Sequence, residues 1–593
     1  MKRLKRLSLL ALSLMMTVSL IGCTNNDIGK NAALQQKDFD TFMNSEFVDS
    51  LQDSYVNMYN FTENPENYGI DKSKVTVQIN QEISEATFKE NRASIKKSAK
   101  KFNEFDRASL TSQQQDTYDT YQYMLDYVED MSAKKYDYMS IPLESMTGIH
   151  SQLPTLFSDW TLRDEQSVKD VITMMKSVRL YIDSILQYIK KQEEKGTLMI
   201  NIDNVKEYCQ KVIDADVNSS VLSGLNKSIE ELQLGDELTK QYQGELKSAF
   251  QEYFIPSYQD IIETLDSLDS SKNNTLGLSH LKNGKEYYEL LFKEAVGTDK
   301  SIKEIKQELE ELAGSSIFNV AQIAQKDPKV YQAYTNGLYK TNYHDFESML
   351  KDLETDIQED FPPVGDLDYN IAPIGEDLAS GGVAAYYNIP ALDGTTPKKI
   401  RVNMLKDALD IQSMGTFSTL AHEGLPGHMY QIAYQYKNIK DNWSNVLANC
   451  PGYTEGYATY AGMYALKYLD GLPQDVITLQ QNMTVYQNCL IALADIGIHY
   501  DGWTVDDTND FLKESGMMVG DTNNFYKQIQ ANPTAFLSYY VGYSQIAKLK
   551  EEAQDKLKDK FSDLGFHQAL LKSGSAPFKV VERNILEYIN KTK

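Results

Sequence analysis

Between Val168 and Ile189 the apolar residues fall at Val168, Val171, Ile172, Met175, Val178, Ile182, Ile185, Leu186 and Ile189. Intervals of three and four lay a single apolar stripe along a helix, and Gly196 supplies its stop. Ser301 with Glu304 makes a capping-box pattern ahead of Ile302, Ile305, Leu309 and Leu312, so a second amphipathic helix has its start marked. Similar patterns fill most of residues 84–350. From Gly415 onward the pattern predicts helices over 416–437 with an interruption, 453–469, 473–499, 505–516, 533–560, 564–573 and 577–591. Thr504 with Asp507, Pro533 and Gly574 supply the punctuation.

The texture changes between Pro362 and Arg401, where Gly, Pro, Asn and Asp surround β-prone pieces at Val383–Tyr387 and Lys399–Val402. A small hairpin or edge strand is the simplest reading. The predicted fold class is therefore mainly α, a large multi-helix assembly with a minor β element. A chain of 593 residues carrying 32 glycines and 15 prolines is too long for one minimal module and too poor in breakers for a disordered one.

At the N-terminus Lys2, Arg3, Lys5 and Arg6 precede an apolar run from Leu7 to Gly22, the charged and short hydrophobic regions of a secretion signal. The run ends in Leu20-Ile21-Gly22-Cys23, which resembles a bacterial lipobox with Cys23 as the lipidated residue. The expected organisation is a signal over 1–22, a lipidated polar tether over 23–40, a helical region over 41–280 and a second helical region over 281–593 continuous with it. Membrane contact is expected only through the lipid, on the extracytoplasmic side. Cys209, Cys450 and Cys489 remain, an odd number without a CxxC pair, so no disulfide framework is expected, although one bridge stays open. With 59 basic against 84 acidic residues the net charge is −25, which repels phosphate backbones and argues against nucleic acid.

Only seven histidines occur, yet two lie in His422-Glu423-Gly424-Leu425-Pro426-Gly427-His428. In a zincin helix two imidazoles at i and i+4 share a face and bind zinc, and the Glu after the first serves the attacking water. Here the interval is six, about 600° of helical turn, so a regular helix would not present both rings to one ion. Pro426 and Gly427 supply an interruption. Either two residues bulge out and return His428 to the position of an i+4 ligand, or the helix simply ends and His428 opens the next.

A third ligand is offered downstream by Glu455, the one charge in an apolar run through Tyr464. Its alternative role is to complement a helix N-terminus. Together His422, His428 and Glu455 would hold one Zn2+ and leave a position for water, with Glu423 as the proton acceptor.

The segments His422–Gln431 (HEGLPGHMYQ) and Pro451–Ala461 (PGYTEGYATYA) resemble the paired HExxPGH and EGW-type motifs of the bacterial domain of unknown function 885 family. Ala385-Tyr386-Tyr387, Arg401-Val402-Asn403, Asp495–His499 with Gly502-Trp503-Thr504, Ser538–Gly542 and Phe566-His567 fit the same pattern, over residues 280–590. The resemblance implies a helical, gluzincin-like zinc metallopeptidase lipoprotein, with Tyr539, His499 and His567 as candidates to stabilise the reacting carbonyl. Tyr457, Ile491 and Lys550 stand where the family commonly has Trp, Arg and Arg.

If a short peptide is the substrate, Arg401 or Lys550 is a candidate for its terminal carboxylate, and the segment around Tyr386 for its extended backbone. Exo-cleavage of carboxypeptidase or dipeptidase type is then expected. Two other classes stay open: a lipid-anchored peptide-binding protein with a vestigial metal site, and a metal-dependent esterase or amidase.

Overall fold

The computed structural model describes residues 25–379, 383–394, 398–405 and 408–593. The signal segment and Cys23 lie outside them. The fold is mainly α with one small sheet, as the periodicity predicts. The elements that matter below are α1 (Asn25–Gln52), α2 (Ser112–Met131), α3 (Ile149–Ser158), α4 (Glu165–Lys195), α5 (Ile302–Lys326), β1 (Tyr369–Pro373), β2 (Ala385–Asn388), β3 (Lys398–Val402), α6 (Met414–Glu423), α7 (His428–Asn438), α8 (Pro451–Ala465), α9 (Gln474–Ile496), α10 (Leu537–Leu557), α11 (Asp563–Leu571) and α12 (Phe578–Thr592).

The stripe from Val168 to Ile189 is buried along α4, closed by Gly196 in the left-handed conformation. Ser301 and Glu304 form the expected reciprocal cap on α5. The polar stretch expected as a tether is helical from Asn25, and α1 docks from Gln36, which donates to the Ser109 carbonyl, and Phe39, which is buried. A helix at Thr522–Gln530 occupies a stretch the sequence pattern leaves unassigned, while α10 begins four residues after Pro533.

The β2–β3 hairpin forms as expected, with Tyr386 opposite Arg401 and Asn388 opposite Lys399. A third strand joins it, β1 running parallel to β3, giving the order β1-β3-β2 and leaving β2 at the edge. The three cysteines are buried and free, so the open bridge does not form.

Two large hydrophobic cores result. One is built on α1, α4 and the helices around them, and takes in Ile374, Leu378 and Trp443 from the later half; the other is built on α5–α12 and takes in Tyr136, Met139 and Met199 from the earlier half. The halves are tied further where Arg583 of α12 grips Asp116 and Asp119 of α2 at 2.5 and 2.6 Å. Residues from both sides of position 280 thus enter each core. No helix among the described residues is long and apolar enough to cross a membrane.

Candidate metal centre

Helix α6 is capped at Ser413, whose hydroxyl accepts the Thr416 N–H, and ends at Glu423. A four-residue loop follows and α7 opens at His428. The backbone thus takes the helix-end reading, yet the rings converge as the bulge reading requires. The loop folds back on the end of α6, with the Gly427 N–H donating to the Ala421 carbonyl at 3.0 Å. A Cβ at Gly427 would lie 1.8 Å from the His422 carbonyl oxygen, so only glycine permits this return. The His422 and His428 rings end 4.7 Å apart between centroids and nearly perpendicular.

Glu455 comes from α8. That helix starts at Pro451, which puts Glu455 in its second turn, too far in to complement the N-terminus. Its Oε2 lies 3.5 Å from His422 Nε2 and 3.3 Å from His428 Nε2. Donor atoms about 2.0–2.1 Å from one tetrahedral ion stand about 3.4 Å from each other. Glu455 Oε2 is buried and has no hydrogen-bond partner, an orphaned lone pair facing two imidazole nitrogens. Two imidazoles and a carboxylate are a donor set that fits zinc.

Glu423 is the other carboxylate nearby. It is buried, 3.9 Å from His422 Nε2, and donor atoms of His422, Glu423 and His428 all lie within 4.8 Å of one another. Glu455 makes the shorter, paired contacts to the two imidazoles, and Glu423 stands farther off beside His422. Burial alone would pull the His428 pKa down, but the Glu455 charge and contact, with Glu423, raise it to about 9. Burial likewise pushes Glu455 up, and the two imidazoles override it and hold its carboxyl far below the usual range. The same lone pairs take a proton or a metal ion, so metal binding here would release protons.

Helix α10 delivers Tyr539. It crosses α8 through glycines: a Cβ at Gly456 would sit 2.4 Å from the Gly542 carbonyl carbon, and one at Gly542 would sit 1.9 Å from the Gly452 oxygen. Three residues before Gly542, Tyr539 lies with its ring parallel to His422 at 5.9 Å. Burial, then the charges of Glu455 and Glu423, raise its pKa, so the phenol stays protonated as a donor.

The remaining candidates divide. Tyr386 lines a cavity of about 780 Å³ that Tyr539 also lines, together with Tyr59, Trp160 and Arg163 from the earlier half of the chain and Lys399 from β3. Its hydroxyl is engaged by Asp159 at 2.7 Å. Arg401 is bound by the same Asp159, at 2.6 and 2.7 Å, and so does not present a free guanidinium. Lys550 pairs with Asp563 at 2.7 Å over the Tyr464 ring, in a separate cluster with His567, Lys467 and Asp360.

His499 and His567 are structural. His499 Nδ1 accepts from the Leu278 N–H at 3.2 Å and Nε2 donates to the Ile529 carbonyl at 3.1 Å. His567 Nδ1 donates to the Asp360 carbonyl at 2.7 Å, its Nε2 accepts from Tyr460 at 2.8 Å, and its ring stacks on Phe361 at 3.8 Å. Each ring has both nitrogens engaged by protein groups, and burial lowers the pKa to about 4 and about 3 respectively, so neither presents a free donor in this structure. Asp495, four residues before His499, accepts instead from Tyr288 and the Thr534 N–H.

Sequence reasoning missed the cavity wall at residues 159–163, which has no motif and lies about 260 residues before His422. It also missed that Tyr457 binds the Pro426 carbonyl.

Among curated proteins none matches the chain. Two solved structures share its fold. One, described as a "putative lipoprotein" from Colwellia psychrerythraea, has a TM-score of 0.80 at 16% identity and covers 94% of this chain and 99% of its own. A second, described in the same words and as of unknown function, from Shewanella oneidensis, has a TM-score of 0.61 at 15% identity and covers 95% and 100%. The family model described as "Bacterial protein of unknown function (DUF885)" matches residues 67–585, and the chain belongs to that family.

Proposed function

We propose that this protein is an extracytoplasmic, lipid-anchored zinc peptidase that trims short peptides from an end. The observation that carries the reading is the orphaned Glu455 Oε2 standing 3.3 and 3.5 Å from two imidazole nitrogens. The anchor rests on the Lys2–Cys23 segment, in keeping with the lipoprotein descriptions of the two similar structures.

His422, His428 and Glu455 would hold the ion. Zinc would supply Lewis acidity toward a water molecule and a substrate carbonyl. Glu423 takes the proton of the attacking water on its carboxylate and passes it to the departing amine. Tyr539, neutral and held against His422, donates its hydroxyl to the carbonyl oxygen as negative charge develops there. Consecutive residues of β2 line the cavity, and its outer edge has no strand partner among the described residues. An extended peptide backbone fits that edge, which favours a peptide over an ester or a small amide.

The test is zinc content and hydrolysis of a mixed short-peptide library by wild type and Glu423→Gln. Both proteins are expected to hold about one zinc, with turnover in the wild type only. A metal-free wild type, or full turnover by Glu423→Gln, overturns the reading.

A further inference from the structure

The cavity beside Tyr539 is lined by a lysine, Lys399, whose ammonium makes no direct contact with a carboxylate among the described residues. On β3, Lys399 and Arg401 are two residues apart and so share a face of the sheet. Both reach the segment leading out of α3, but they meet different partners. Arg401 meets the Asp159 carboxylate, at 2.6 and 2.7 Å, whereas Lys399 Nζ meets the neutral Thr161 hydroxyl at 2.9 Å. Asp159 is already shared between Arg401 and Tyr386. No carboxylate among the described residues lies within ion-pairing reach of Lys399.

An ammonium group carries three donors, and here one is used. Burial of the side chain, with the neighbouring Arg401 charge, lowers the Lys399 pKa in spite of the Asp159 and Glu231 charges farther off. Of the other two cations lining the cavity, Lys398 precedes Lys399 on the strand and so points to the opposite face of the sheet, and Arg163 is better satisfied, donating to the Thr62 and Tyr59 carbonyls at 2.8 and 2.6 Å and lying over the Tyr59 ring at 3.9 Å. In a chain of net charge −25, a half-buried lysine without an acid, lining the same cavity as Tyr539, is a place prepared for an anion.

We infer that Lys399 is a specificity-determining residue that binds the C-terminal carboxylate of the peptide, so the cavity accepts peptides with a free C-terminus and discriminates against amidated ones. This deepens the peptidase reading and rests on it for the identity of the ligand. Lys399 takes the role that the sequence offered to Arg401 or Lys550, whose charges are taken by Asp159 and Asp563. The hydrogen bonds are ammonium to carboxylate and displace no internal ion pair.

The experiment is affinity-selection mass spectrometry on full-length Glu423→Gln protein, using a mixed tetrapeptide library made once with free C-terminal carboxylates and once with C-terminal amides. Free acids are expected to be retained about tenfold better than amides. That preference should vanish when Lys399→Met or Thr161→Asp is added, the second supplying an internal carboxylate while leaving the lysine in place. Lys399→Arg should keep it. Melting temperatures of the variants identify any that fail to fold, and the rescue by arginine does not depend on the methionine variant folding. Equal retention of acids and amides, no retention of either, or a preference that survives both Lys399→Met and Thr161→Asp overturns the assignment. Peptide hydrolysis by zinc-loaded wild type is read separately. Acid-selective retention without hydrolysis sinks the peptidase reading and leaves Lys399 as the anion anchor.

Discussion

Tyr457 donates its hydroxyl to the Pro426 carbonyl at 2.9 Å. Helix α8 therefore does two things two residues apart: it brings the Glu455 carboxylate to the histidines and pins the loop that returns His428 to His422. Tyr457 is fully buried, and its phenol is the donor for a carbonyl in a loop that cannot form helix hydrogen bonds.

Replacing Tyr457 with Phe keeps the ring and deletes that one donor. The buried Pro426 carbonyl should then lower stability by about 1–3 kcal/mol. Loosening the loop should also weaken zinc binding about tenfold or more, as loss of a group that orients a ligand does. Competition for zinc against a chromophoric chelator, with a thermal melt, measures both. Unchanged zinc affinity would mean that the loop holds its shape without α8.

The crossing of α8 and α10 makes a sharper demand. An added methyl at Gly542 meets backbone, 1.9 Å from the Gly452 oxygen and 2.7 Å from the Gly456 Cα, and backbone has no rotamer with which to yield. Gly542→Ala should lower the melting temperature and separate Tyr539 from His422, with zinc affinity falling in parallel. Gly244→Ala is the control, because that glycine lies inside a helix with open space around it; alanine there should stabilise by about 0.5–1 kcal/mol. Equal effects at the two positions would mean that the helices part without penalty.

The helices were legible in the sequence because their apolar stripes are local, and β2 and β3 because β-prone runs stood among turn formers. The parallel strand β1 was not, since its pairing to β3 bridges nearly thirty residues and leaves no periodic mark. The clustering of His422, His428 and Glu455 was legible from the concentration of His and Glu. The backbone route was legible only as a choice: Pro426 and Gly427 announce a break without saying how the chain returns. His499 and His567 look in sequence like any catalytic histidine, and only their paired backbone and side-chain partners identify them as buried cross-links. The cavity wall at Asp159 and Thr161 was illegible, because the contact is made by tertiary packing between distant segments.

Those buried imidazoles predict acid lability. His150, His499 and His567 have folded-state pKa values lowered by burial to about 4, about 4 and about 3. Unfolded histidine titrates near about 6.5, so below that value the unfolded chain binds more protons than the folded one. Stability contributed by the neutral rings is present above about pH 6.5 and is lost as pH falls toward about 4, on the order of 3 kcal/mol per ring. Asp495 acts in the opposite sense, since burial raises its pKa to about 7 and protonation relieves it, and burial raises Glu144, Glu294 and Asp441 in the same direction, so the contribution of a ring is read from the difference between wild type and His567→Gln. Denaturant unfolding between pH 7.5 and 4.5 should show a falling midpoint, and His567→Gln should reduce the slope. A catalytic role for His567 would instead show as lost turnover with the pH dependence of unfolding intact.

Arg401 offers the opposite separation. Its guanidinium and Asp159 are largely buried, at 18% and 12% side-chain exposure, and Asp159 holds Arg401 and Tyr386 together across the sheet edge. Arg401→Gln leaves that carboxylate with the Tyr386 hydroxyl and only the non-contacting Lys399 charge, which should cost about 3 kcal/mol of stability. Adding Asp159→Asn should recover part of the loss, because the uncompensated charge is then gone, and a double-mutant cycle in denaturant reads the coupling. Zinc affinity should not change, since neither side chain touches the histidines or Glu455. If Arg401→Gln folds with wild-type stability and loses only peptides bearing a free carboxylate, then Arg401 reaches the substrate itself and the division of labour between it and Lys399 is reversed.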